Sequence, residues 1–123
     1  MKAIVFSILL GSCLVPAVQA QNYVSKVWVA DQGNGTYKNP VLYADYSDPD
    51  VCRVGNDFYL TSSSFGCLPG LQILHSKDLV NWTIVGAAVP RSLAPHTDTA
   101  PQHGNRVWAP CIRHHNGEFY IFW

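Results

Sequence analysis

Two aspartates, Asp48 and Asp50, flank Pro49 in "YSDPDVCRVGNDFYL", just ahead of a run that reads as a strand. Carboxylates in that setting cap a turn, hold an ion or a sugar hydroxyl, or move a proton. Other reactive side chains are few. Cys52, Cys67 and Cys111 are an odd set with no CxxC spacing. That argues against a structural zinc site and leaves at least one thiol free or paired outside this stretch. His114 and His115 are adjacent, so in a strand they face opposite sides and cannot chelate one ion in the usual way. With His103 they read as surface or turn histidines. Asp78, in "HSKDLVNW", is placed to accept from turn amides, with Trp82 packed beneath.

Strand alternation would put Asp48 and Asp50 on one face. Two ionised carboxylates side by side repel, which raises the pKa of one. Asp50 is therefore expected to be neutralised by Arg53 or a backbone donor, or turned away, with no catalytic role. Pro49 fixes the backbone between them.

The elements that must position these residues are short β runs separated by turn residues. No amphipathic helix is evident after residue 20. Lys26 to Ala30 is apolar at alternate places. Val51 to Val54 and Phe58 to Ser62 flank Gly55-Asn56-Asp57, a hairpin turn by composition. Leu71 to His75 and Trp82 to Val89 flank a polar turn. Pro90 to Asn105 reads as a long exposed loop, followed by Val107 to His114, the turn Asn116-Gly117, and Phe119 to Trp123. A repeat runs through this pattern. "DPDVCRVGNDFYL" from Asp48 aligns with "APCIRHHNGEFYI" from Ala109, 61 positions later. Proline recurs, as Pro49 and Pro110. The carboxylate does not, since Ala109 stands opposite Asp48. A hairpin recurring after two further strands is the pattern of a β-propeller, each blade a four-stranded sheet. The sequence stops inside the second copy, so an N-terminal fragment of a longer protein is expected.

The first twenty residues have the makings of a signal peptide. Met1 and Lys2 lead into apolar Ala3 to Leu10, and Val18-Gln19-Ala20 is a small-residue cleavage site. Leu10-Gly11-Ser12-Cys13 also resembles a bacterial lipobox, which would lipidate Cys13. Either route exports the chain, to the periplasm, the exterior or the cell surface. Loss of Lys2 from a chain with 8 Lys plus Arg and 8 Asp plus Glu leaves one net negative charge. That gives no electrostatic footprint for nucleic acid. No other long apolar run could span a membrane. Four Trp, six Tyr and five Phe suit a sheet core and equally a surface that stacks on sugar rings.

"NPVLYADYSDPDVCRVGNDFYLTSSSF", "PGLQILHSKDLVNW" and "VWAPCIRHHNGEFYIFW" together resemble glycoside hydrolase family 43. The resemblance runs from about Asn39 to Trp123. It implies an all-β, five-bladed β-propeller enzyme acting on xylan or arabinan side chains, of the β-xylosidase or α-L-arabinofuranosidase type. With the signal peptide (1–20) read above, it leaves a leader strand and loop (21–38) and a partial propeller domain (39–123). It implies an inverting mechanism, with Asp48 carried over as general base. A second aspartate and a glutamate general acid would lie beyond residue 123, so this stretch alone is expected to be inactive. Phe65, after "TSSS", and Trp108, in "VWAP", match residues that line the sugar pocket. Relatives often carry an aromatic where this chain has Leu68, which puts one pocket wall in doubt. No cofactor is required, and a structural calcium would take its ligands beyond residue 123. A non-catalytic sugar-binding propeller, with Asp48 holding a hydroxyl, is the alternative.

Overall fold

The structure is a computed structural model and describes residues 27–90, 104 and 106–123. The signal peptide (1–20) with Cys13, the start of the leader (21–26), and nearly all of the loop expected from Pro90 to Asn105, with His103, lie outside the described residues. Within them every regular element is a strand, which meets the all-β expectation. Four strands, β1 (Asp50–Val54), β2 (Asp57–Thr61), β3 (Gly70–Ser76) and β4 (Thr83–Val89), form one antiparallel sheet in the order β1-β2-β3-β4. A second sheet begins with β5 (Cys111–His115) and β6 (Glu118–Phe122). A four-stranded meander followed by the hairpin of another sheet is a propeller blade and the start of its neighbour.

The turns follow from local chemistry. Val54 pairs with Asp57 across the two-residue loop Gly55-Asn56, and Gly55 takes φ +62°. His115 pairs with Glu118 across Asn116-Gly117, both at positive φ (+50° and +83°). These are the residues two-residue hairpins demand, because their twist matches that of the strands. The "SKDLVN" turn is organised by Asp78, as its position implies. Asp78 Oδ1 accepts from the amides of Val80 (2.9 Å) and Asn81 (2.7 Å) and from Ser76 Oγ (3.0 Å). Half-buried Trp82 donates from Nε1 to Leu79 O at 3.0 Å.

The repeat is matched strand for strand. In β1–β2 the register runs from Asp50↔Thr61 to Val54↔Asp57; in β5–β6 it runs from Cys111↔Phe122 to His115↔Glu118. Each of these positions recurs 61 residues later. Two boundaries differ from expectation. Residues 27–30 form no strand; the segment is held by an isolated Asp31↔Tyr37 bridge, by the burial of Ala30 and by Asn81 Nδ2, which donates to Asp31 Oδ2 at 2.8 Å. β5 begins at Cys111 rather than Val107, because Pro110 has no amide to give a ladder. Val107 instead pairs with Phe65.

The core is small. Leu60, Leu71 and Leu74 from the first sheet and Ile112 from β5 are buried. Ile112 shares this core because β1 lies against β5. Gly70 starts β3 in a tight place, where a Cβ would meet Ser64 Oγ at 3.0 Å and Cys67 O at 3.3 Å and those neighbours would have to give way.

Candidate active site

Asp48 lies two residues ahead of β1 with φ +49°. Ala109, its counterpart in the repeat, has φ +39°. Both precede a proline. The left-handed region is costly for residues with a side chain, and proline further restricts the residue before it. Such conformations persist where surrounding structure holds them, and they cluster at functional sites. Here the holding group is Ser63. Its backbone amide donates to Ser47 O at 3.0 Å. Its Oγ donates to Asp48 Oδ2 at 2.7 Å and accepts from the Ala109 amide at 2.8 Å. Ser63 ends an unusual run, Thr61-Ser62-Ser63, in which all three residues are buried. Asp48 itself is exposed.

Asp50 does not share this environment. Positive φ at Asp48 interrupts the alternation that would have put both carboxylates on one face. Asp50 Oδ2 accepts from the Ile112 amide at 2.7 Å and from Arg113 Nη1 at 2.6 Å. Partial desolvation pushes its pKa up, but the Ile112 amide and the Arg113 guanidinium outweigh it, so the carboxyl is held below the usual range. The expected backbone donor is present. The expected arginine is not: Arg53 donates instead to Gly55 O at 2.8 Å and lies over Phe58. Position 53 belongs to the same strand and hairpin, whereas Arg113 arrives on β5. Asp50 therefore ties the two sheets together.

Phe65 and Trp108 come together, although 43 residues of sequence separate them. Their rings meet edge to face, centroids 5.0 Å apart and planes at 88°. Phe65 exchanges backbone hydrogen bonds with Val107 (3.0 and 3.3 Å). Trp108 anchors its Nε1 on Gly104 O at 2.6 Å and leaves 58% of itself exposed. An aromatic fixed by its polar end and open on its surface is ready to meet an apolar ring face. A cleft of about 220 Å³ opens beside this pair, lined by Tyr46, Ser63, Phe65, Cys67, Pro69 and Gln72 among others. Asp48 and Trp108 are not in its lining; Ser63 and Phe65, which touch them, are. Leu68 is also absent from the lining, although its exposed neighbours Cys67 and Pro69 belong to it.

Among the described residues, no three His, Cys, Asp or Glu side chains are grouped to hold a metal ion. His114 and His115 are exposed on β5. No helix of the described residues is long and apolar enough to cross a membrane. Ser63 and Arg113 were not singled out from sequence. The hydroxyl run at 61–63 could have flagged Ser63, because buried polar groups are as a rule hydrogen-bonded; Ser63 Oγ is, whereas Thr61 Oγ1 is buried without a partner among the described residues.

Residues 37–123 match the family model of glycosyl hydrolases family 43. A non-reducing end alpha-L-arabinofuranosidase of Bacteroides ovatus is 35% identical over 116 residues, covering 90% of this chain and 20% of that protein. A beta-xylosidase of Bacillus subtilis is 42% identical over 85 residues, covering 69% of this chain and 16% of that protein. The crystal structure of a family 43 protein from Bacillus licheniformis superposes with a TM-score of 0.60 at 44% identity, over 69% of this chain and 16% of that one. The chain thus spans a fifth or less of the length of these relatives. The recurring hairpin, the motif order and these matches agree, and the chain belongs to glycosyl hydrolases family 43.

Proposed function

We propose that the full gene product is an exported inverting glycosidase that cleaves β-xylosidic or α-L-arabinofuranosidic bonds. Asp48 is its general base, and Phe65 and Trp108 hold the sugar. The reading rests first on one observation. Of two neighbouring aspartates, Asp50 is consumed by an amide and a guanidinium of β5, while Asp48 is exposed and fixed by a single neutral hydroxyl. A general base must be ionised and open to water. The relatives named as an arabinofuranosidase and a xylosidase support the substrate class.

In this reading Asp48 takes a proton from a water as its oxygen attacks the anomeric carbon. The glycosidic C–O bond breaks, and the leaving oxygen receives a proton from a glutamate beyond residue 123. Inverting sites hold their two carboxyls roughly 6.5–9.5 Å apart so that the water fits between sugar and base. Water and carboxyl groups supply this chemistry, so these steps require no cofactor. Residues 1–20 act as the export signal, 21–38 as a leader and 39–123 as propeller.

The test is hydrolysis of 4-nitrophenyl β-D-xyloside and α-L-arabinofuranoside by the purified gene product, with the product anomer read by NMR. Inverted product is expected. Asp48→Ala should cut turnover by about a thousandfold, within the range of a lost general base, with the melting temperature kept. Near-normal turnover in that variant rules out Asp48 as base. Sugar binding without any hydrolysis would favour a non-catalytic propeller.

A further inference from the structure

Ser63 carries no chemistry of its own in glycoside hydrolysis, yet its hydroxyl stands between the two halves of the repeat. The Ala109 amide can only donate, so at 2.8 Å Ser63 Oγ is the acceptor. A serine hydroxyl has one proton. The 2.7 Å contact to Asp48 Oδ2 is where that proton goes. At 7% exposure there is little water to compete for it. The hydroxyl rotor, free in most serines, is thus set by a backbone amide of the next sheet. The same residue clamps the chain at Ser47 through its own amide. Ser63 therefore grips the segment around Asp48 by backbone and by side chain.

We infer that Ser63 is a positioning residue for the general base. Its hydroxyl, oriented by the Ala109 amide, holds Asp48 Oδ2 as an acceptor and leaves Oδ1 to take the proton of the attacking water. This rests on the reading of Asp48 as base. It adds that the base is held by Ser63, just past β2, whose hydroxyl is in turn set by the Ala109 amide, just ahead of β5, so its aim depends on how the two sheets pack. Small displacements of a reacting group cost large factors in rate, because bound geometry replaces a bimolecular encounter.

The experiment compares Ser63→Ala, Ser63→Thr and Asp48→Asn in the full gene product, reading kcat, KM and melting temperature on the nitrophenyl glycosides. Ser63→Ala should lower kcat about ten- to a hundredfold, with KM within about twofold, because sugar binding falls to other residues. Ser63→Thr, which restores the hydroxyl, should recover most of the loss. Wild-type kcat in Ser63→Ala overturns the inference. So does a matched loss of melting temperature and of both kinetic constants in Ser63→Ala without recovery in Ser63→Thr, which marks a purely structural role. Asp48→Asn separates the two claims. If it is inactive while Ser63→Ala is normal, only the role of Ser63 fails. If Asp48→Asn is active, the general base assignment fails first.

Discussion

Asp48 and Ala109 occupy the same backbone position in successive sheets, at φ +49° and +39°, and the hydroxyl of Ser63 touches both. One is a carboxylate and the other a methyl group, so the shared backbone belongs to the repeated architecture, whatever the side chain does. Phe65 also takes positive φ (+49°). Three strained residues thus gather around Ser63, on segments that meet between the sheets. Each such residue costs about 1–3 kcal/mol, which the interlocking hydrogen bonds offset.

Asp50 should matter for stability and little for rate. Asp50→Ala removes the acceptor of the Ile112 amide, in a residue only 1% exposed. An orphaned buried amide costs about 1–3 kcal/mol. The Arg113 contact adds little, because that side chain is largely exposed. Asp50→Asn keeps an acceptor and should recover most of the loss. Denaturant unfolding of both variants checks this, alongside a kcat that stays within about threefold. A catalytically dead but fully stable Asp50→Ala would reverse the roles given to the two aspartates.

Acid should weaken the fold through a named set of carboxylates. Asp78, held by Asn81 and the turn amides, and Asp57, held by Lys77 and His75, lie below their ordinary range. Asp50 lies below it too, with its amide and Arg113 contacts outweighing desolvation. Depressed folded values mean stability that is full above the unfolded range, near pH 4, and is lost as pH falls through the folded values. Unfolding midpoints should be level from about pH 7 to 5 and drop below about pH 4. Asp78→Asn, which no longer titrates, should flatten the drop. Equal acid slopes in variant and parent would show that Asp78 contributes nothing to it.

The aromatic pair should govern affinity. Trp108→Ala is expected to raise KM about three- to tenfold, the worth of one ring contact of about 0.5–1.5 kcal/mol. Since Trp108 is more than half exposed, its loss should leave the melting temperature nearly unchanged. Phe65→Ala should raise KM too and also lower stability, because Phe65 is half-buried and packs against Trp108. Unchanged KM in both variants would reduce the pair to packing between the sheets.

Much of the fold was legible in the residues themselves. The turns Gly55-Asn56 and Asn116-Gly117 announce hairpins because few residues accept positive φ, and Asp78 announces its own turn because its carboxylate reaches only nearby amides. The 61-residue repeat exposed the blade and set Asp48 apart from Pro49. Expectation failed where a partner arrives from far along the chain. Arg53 was the near candidate for Asp50, and the structure supplies Arg113. Residues 27–30 alternate like a strand but find no edge to pair with.

The strands, their turns, the repeat and the replacement of Asp48 by Ala109 in its second copy are legible in the residues alone. All of these are written in local periodicity and in the backbone preferences of single residues. Packing sets the difference between the two aspartates. It brings β5 against β1, so that Asp50 is taken up by Ile112 and Arg113, and it brings Ala109 to Ser63, so that one hydroxyl is aimed at Asp48. Distance along the chain explains this: hydrogen bonds between residues 46 and 63 positions apart depend on how sheets pack, and no short stretch of sequence encodes that.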